Sequence, residues 1–176
     1  MKSILAASFM GGIFLFANAP AQGTDVWADV LLGAMNPGPA AGVRLNVDAF
    51  DGWTVSGEVL ASNDLCIFCD AERLQETNFL IGRRLVSEHS YAYFNVGLGR
   101  VTGEKHGRMI DDETGYYSFG PTYEMQKVDA IGVPIEAGIS RTWSRVVGLG
   151  INFHLNLNRD DPLVGVMVNI SLGKIK

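Results

Sequence analysis

Charge is scarce in this chain. Charged residues make up 19 % of 176, against a usual share of about 25 %. Lysine plus arginine total 14 against 19 acidic residues, so the formal net charge is −5. A chain that acidic offers no basic face for nucleic acid. Two cysteines are too few for a disulfide scaffold. Beyond residue 24 no window holds 18 uninterrupted apolar residues, which excludes a transmembrane helix there. Helical periodicity is weak throughout. What the chain has instead is 47 % hydrophobic residues and 21 glycines. An intrinsically disordered chain would be far poorer in apolar side chains.

The first residues read as a targeting segment. Lys2 is the only charge before Asp25, Ile4 to Ala17 is almost unbroken apolar sequence, and Ala19-Pro20-Ala21 fits the small-residue cleavage rule. A secretory signal peptide over 1–21 is expected, with Gln22 as the new N-terminus and one domain over 22–176. The apolar stretch has 14 residues, short of the roughly 20 that span a bilayer.

From Asp25 onward apolar residues recur at every second position, as in strands with two unlike faces. In Val147 to Leu157 every odd residue is large and apolar, and every even one is glycine, asparagine or histidine. Eight such segments are expected, near 25–34, 40–49, 53–62, 76–86, 91–102, 127–140, 145–158 and 163–173. Phe50-Asp51-Gly52 suits a three-residue turn with Gly52 in the left-handed region and a bulge. The register that follows sets Ala49 opposite Trp53, Asp48 opposite Thr54, Asn46 opposite Ser56, Val47 opposite Val55, and Arg44 opposite Glu58 as an inward ion pair.

Two architectures share this alternation. A soluble lipocalin-type barrel turns its apolar face inward, and an outer-membrane barrel turns it to lipid. A water-facing wall would carry lysine, glutamate and threonine. The polar face here is mostly glycine, asparagine and serine with isolated charges, and of the five lysines only Lys127 touches an expected strand. Small side chains suit the crowded lumen of an eight-stranded barrel. The expected architecture is therefore all-β: an eight-stranded antiparallel up-and-down transmembrane β-barrel without a wide pore. Its long connections, 63–75 and 103–126, fall on the outer side and its short turns on the periplasmic side. Trp27, Trp53 and Trp143, with Phe50 and Tyr91, are expected to form a periplasmic aromatic girdle. Tyr116, Tyr117, Phe119 and Tyr123 lie on the outer side. Arg83 and Arg100 fall on the lipid face, where rim arginines snorkel.

Several residues invite a chemical role. Arg44, Glu58, Arg84, Glu136 and His154 are expected to form a polar network in the lumen. For His154 the sharper alternative is a catalytic dyad with Ser171 or Glu136, but lipid-cleaving barrels need such residues on the lipid-facing wall, and both His154 and Ser171 have lumen parity. Cys66 and Cys69 are candidates for a local disulfide at a loop tip; a redox pair or metal site would need partners that their surroundings lack. Asp111-Asp112-Glu113 is an acidic run that suits either a solvated cluster or calcium. Arg100, Lys105 and Arg108 are candidates for contact with lipopolysaccharide phosphates. Gly97-x-Gly99 and Gly148-x-Gly150 lie inside strands and are not nucleotide loops. No cofactor motif and no metal-ligand spacing stands out.

Gly132-Val133-Pro134-Ile135-Glu136-Ala137, Gly148-Leu149-Gly150 and the final Ser171-Leu172-Gly173-Lys174 complete a pattern that resembles the small eight-stranded outer-membrane barrels of Gram-negative bacteria, the OmpA/OmpX-like superfamily. The resemblance covers the whole mature chain as architecture and brings no catalytic motif. It implies outer-membrane localisation, with membrane lipid, lipopolysaccharide and the outer-membrane assembly machinery as partners. One departure is the C-terminus, Ile175-Lys176, where such proteins commonly end in an aromatic residue. The function expected is structural or surface interaction through 63–75 and 103–126, without enzymatic activity. A lipid-modifying outer-membrane enzyme and a soluble carrier of apolar ligands are the alternatives.

Overall fold

In the computed structural model, residues 25–50, 52–64, 71–111, 122–144 and 146–173 are described. The expected signal segment, Cys66, Cys69, Asp112, Glu113, Tyr116, Tyr117, Phe119 and the C-terminal tripeptide lie outside these residues. Eight strands follow one another: β1 (Val26–Met35), β2 (Pro39–Phe50), β3 (Trp53–Asn63), β4 (Arg73–Val86), β5 (Ser90–Asp111), β6 (Thr122–Thr142), β7 (Val147–Asn158) and β8 (Leu163–Gly173). Each pairs antiparallel with its sequence neighbours, and β8 returns to β1, so the barrel is closed. Closure pairs each strand of the wall on both sides over most of its length.

The β2–β3 hairpin pairs Arg44 with Glu58, Asn46 with Ser56, Val47 with Val55 and Asp48 with Thr54. Gly52 takes φ +76°, the left-handed value the turn requires. One pairing differs: Trp53 faces Phe50, not Ala49, because the register shifts between Asp48 and Phe50. The bulge sits in the strand end and absorbs one residue there.

The strands β5 and β6 are much longer than alternation indicates. Beyond Glu104, polar and apolar residues no longer alternate in the sequence, so the two-residue rhythm fades while the ladder of backbone hydrogen bonds continues. Residues 103–111 and 122–126, expected in a loop, are strand. β4 likewise begins at Arg73 rather than 76, and β7 begins at Val147 rather than 145.

The wall separates two environments. Outward positions include Val30, Phe79, Ile81, Phe94, Leu98, Ile131, Phe153, Val166 and Ile170, all exposed. Inward positions bury Asp29, Arg44, Glu58, Glu76, Asn78, Glu136, Asn152, His154 and Asn156. Inside, the outer half of the barrel is different again. Leu31, Met35, Ala40, Leu60, Leu74, Val101, Val128, Leu163 and Met167 form an apolar cluster. The polar lumen wall is thus concentrated in the middle and at the end that carries the short turns.

Candidate functional site

Two of the three tryptophans lie outside, Trp53 at 37 % and Trp143 at 68 % exposure, with Phe50 beside Trp53. Trp27 does not join them. It is 4 % exposed and points into the lumen, where it meets Tyr91 edge-on at 6.4 Å between ring centroids. Its height matches a girdle, but its parity matches Asp29 and Leu31, and parity decides the face. Tyr91 is inside for the same reason. Arg84 lies over both rings, 4.5 Å from Trp27 and 5.4 Å from Tyr91, a cation–π arrangement. Arg84 also pairs with Asp48, and Asp25 is 3.8 Å away. Arginine and aromatics close the end of the barrel that carries the short turns.

The central layer is organised by Arg44. Its Nε and Nη2 donate to Asp29 Oδ2 at 3.0 and 2.9 Å, Nη2 also donates to Tyr93 Oη at 3.0 Å, and Nη1 donates to Glu136. Glu58, its cross-strand neighbour, is a more distant partner at 3.8 Å. The curvature of the barrel brings β6 across to β2, so the register partner is not the nearest charge. His154 links Glu136 to a further carboxylate: Nδ1 lies 3.2 Å from Glu136 Oε1 and Nε2 lies 3.1 Å from Glu76 Oε2. Ser171 does not meet His154; its hydroxyl lies against Tyr91 and Asp29. The dyad with Ser171 is therefore absent, and the contact with Glu136 is enclosed in the lumen.

Asparagines fill in the layer. Asn78 Nδ2 donates to Glu58 at 3.0 Å, Asn152 Nδ2 to Glu136 at 3.2 Å and Asn156 Nδ2 to Glu76 at 2.6 Å. Asp29, Glu76 and Tyr93 belong to this network but were not singled out in the sequence. Asp29 was findable: it is the one charged residue within Val26–Met35, and it has lumen parity.

The basic candidates on the outer side are not gathered together. Arg100 and Asp129 form a two-point ion pair on the outward face at 2.8 and 2.7 Å. Lys105 pairs with Asp161 of the β7–β8 connection. Arg108 is exposed farther out on β5. They do not converge into one phosphate cradle. Arg83 is exposed on the outward face of β4.

Above the rim, β5 and β6 continue as a two-stranded ribbon. β4 pairs with β5 only as far as Glu104, and β7 pairs with β6 only from Gly132. Among the described residues, Lys105–Asp111 and Thr122–Gln126 are therefore paired only with each other, and the β6 edge facing β7 is unpaired up to Ile131. His106 stacks on Tyr123 at 4.5 Å, and its backbone N–H donates to Glu72 at 2.7 Å. Glu72 and Asp161 thus hold the ribbon base from opposite flanks.

The fold defines a class: small closed barrels, filled inside by side chains and apolar outside. Solved structures share it. The N-terminal β-barrel domain of Pseudomonas aeruginosa OprF is similar at TM-score 0.63 and 9 % identity, covering 85 % of this chain and 96 % of that one. Ail, the attachment invasion locus protein of Yersinia pestis, is similar at TM-score 0.56 and 11 % identity, covering 86 % and 97 %. A second structure of Ail, in complex with the heparin analogue sucrose octasulfate, is similar at TM-score 0.54 and 12 % identity, covering 86 % and 97 %. No family model and no curated protein matches the sequence.

Proposed function

We propose that this chain is an integral outer-membrane barrel that presents the β5–β6 ribbon as a surface for protein contact. The observation that carries the membrane placement is the inversion of the wall. Phe79, Phe94, Ile131 and Phe153 are exposed while Arg44, Glu58 and Glu136 are buried. A soluble carrier needs the opposite arrangement, because exposing a continuous apolar belt to water is strongly unfavourable. Lipid accepts such a belt, and a closed ladder satisfies the backbone within it. Outer-membrane lipid and lipopolysaccharide surround the belt, and the assembly machinery inserts it after the signal segment is removed.

The open edge of β6 supports the contact role. An unpaired strand edge offers backbone donors and acceptors to an extended segment of another protein. Neither the filled lumen nor the enclosed His154 suits turnover of lipid, so the reading is non-enzymatic.

Fractionation with gel mobility tests this. The protein is expected in outer membranes, migrating faster unheated than boiled, and protease applied to intact cells is expected to cut first between 103 and 126. Recovery from the soluble periplasm would overturn the reading.

A further inference from the structure

The lumen centre holds more negative charge than it compensates. Asp29, Glu58, Glu76 and Glu136 are all buried there, facing Arg44 and one histidine. Arg44 Nη1 faces the Oε2 atoms of both Glu58 and Glu136. The other oxygen of each, Oε1, faces His154 Nδ1 at 3.9 and 3.2 Å respectively. On the far side of the ring, Nε2 meets Glu76 Oε2 at 3.1 Å. A neutral imidazole carries one N–H. Placed on Nε2, it donates to Glu76, and the Nδ1 lone pair then faces two carboxylate oxygens with no hydrogen between them.

That is the donor set of a metal centre with its orienting partner. A ligating histidine characteristically gives its other N–H to a carboxylate. Asn78 and Asn152 donate to the same two Oε1 atoms, fixing them as amides fix ligating carboxylates. One donor atom from each of Glu58, Glu136 and His154 lies within 4.8 Å of the other two. Around a tetrahedral zinc ion with bonds of about 2.0–2.2 Å, donors stand roughly 3.4 Å apart.

An independent observation points the same way. Buried side-chain acceptors without a hydrogen-bond partner surround this layer, namely Glu58 Oε2, Glu76 Oε1 and the Oδ1 atoms of Asn78, Asn152 and Asn156, while the unpaired donors, Trp27 Nε1, Arg84 Nε and Nη1, and Asn158 Nδ2, lie toward the two ends of the barrel. Glu58 and Glu76 are at least nine-tenths buried. Buried lone pairs without donors call for positive charge.

We propose that Glu58, Glu136 and His154 bind a divalent transition-metal ion, with zinc the best match to one imidazole and two carboxylates. The apolar cluster above and the Trp27–Arg84–Tyr91 layer below enclose the site. The ion is therefore captured as the barrel closes and exchanges slowly afterwards.

The test refolds the full chain from urea into detergent micelles with zinc. Excess metal is removed by gel filtration, folding is scored by heat-modifiable mobility, and metal is counted by mass spectrometry. About one zinc per folded chain is expected, retained when chelator is added after folding. His154→Gln and Glu58→Gln, when folded, should hold roughly tenfold less or lower still. A folded wild-type barrel that takes up essentially no zinc overturns the proposal. A folded His154→Gln barrel that keeps its full zinc also overturns it. If neither variant folds, zinc-edge X-ray absorption of the wild type decides: one imidazole with carboxylate oxygens supports the site, and any other donor set sinks it.

Discussion

Arg44 on β2 turns two nitrogens onto a single oxygen of Asp29 on β1 and a third onto Glu136 on β6. Removing the guanidinium leaves three buried carboxylates facing one another. Breaking a buried ion pair from one side destabilises by about 3–5 kcal/mol. Arg44→Met should lower the urea midpoint of the micelle-folded barrel by that order. Replacing Arg44 and Asp29 together, by Met and Leu, should recover part of the loss. A midpoint unchanged in Arg44→Met would show that the lumen is not organised by this residue.

The tryptophans divide between lumen and outer wall. Single-tryptophan variants reconstituted in bilayers with brominated acyl chains should show strong quenching for Trp53 or Trp143 and weak quenching for Trp27. Equal quenching of all three would place Trp27 on the lipid side and overturn its assignment to the lumen.

Two glycines should respond oppositely to alanine. A Cβ on Gly138 would lie 2.4 Å from Tyr93 Cζ, inside a ring already held by Arg44. Overpacking of that kind costs about 1–3 kcal/mol. A Cβ on Gly57 meets nothing within 4 Å, so Gly57→Ala should be neutral or stabilise by about 0.4–1 kcal/mol through the unfolded chain. Denaturant midpoints of the two variants should move in opposite directions, or the Gly57 midpoint should stay fixed.

Lys105 and Asp161 hold the ribbon base from one flank, and Glu72 bonds the His106 backbone from the other. Lys105→Ala with Glu72→Gln should leave heat-modifiable mobility intact while speeding protease cleavage of the ribbon. Unchanged cleavage would mean that the β5–β6 ladder alone sets its rigidity.

Much of this was legible from parity. Polar meeting polar at Arg44–Glu58, Asn46–Ser56 and Asp48–Thr54 defines the β2–β3 register, because a slip of one residue would turn every side chain over. Trp27 was misplaced in the girdle because height along the strand was weighed above the lumen parity it shares with Asp29. The lumen partners were harder to read. Arg44 meets Glu136, 92 positions away, through barrel curvature that pairwise register does not encode. The apolar cluster of Leu31, Leu60 and Met167 was hidden for a related reason. Alternation distinguishes faces, but it does not reveal that one face changes character halfway along the barrel. The ribbon was hidden because Lys105–Asp111 and Thr122–Gln126 do not alternate polar with apolar residues.

The overshoot of β5 and β6 has a geometric consequence. Lys105 to Asp111 extends β5 beyond its last β4 partner, which at about 3.3 Å per residue is roughly 20 Å of additional reach. Beyond Glu104 that length of β5 is held by β6 alone, so the ribbon can bend without breaking any pair of the wall below.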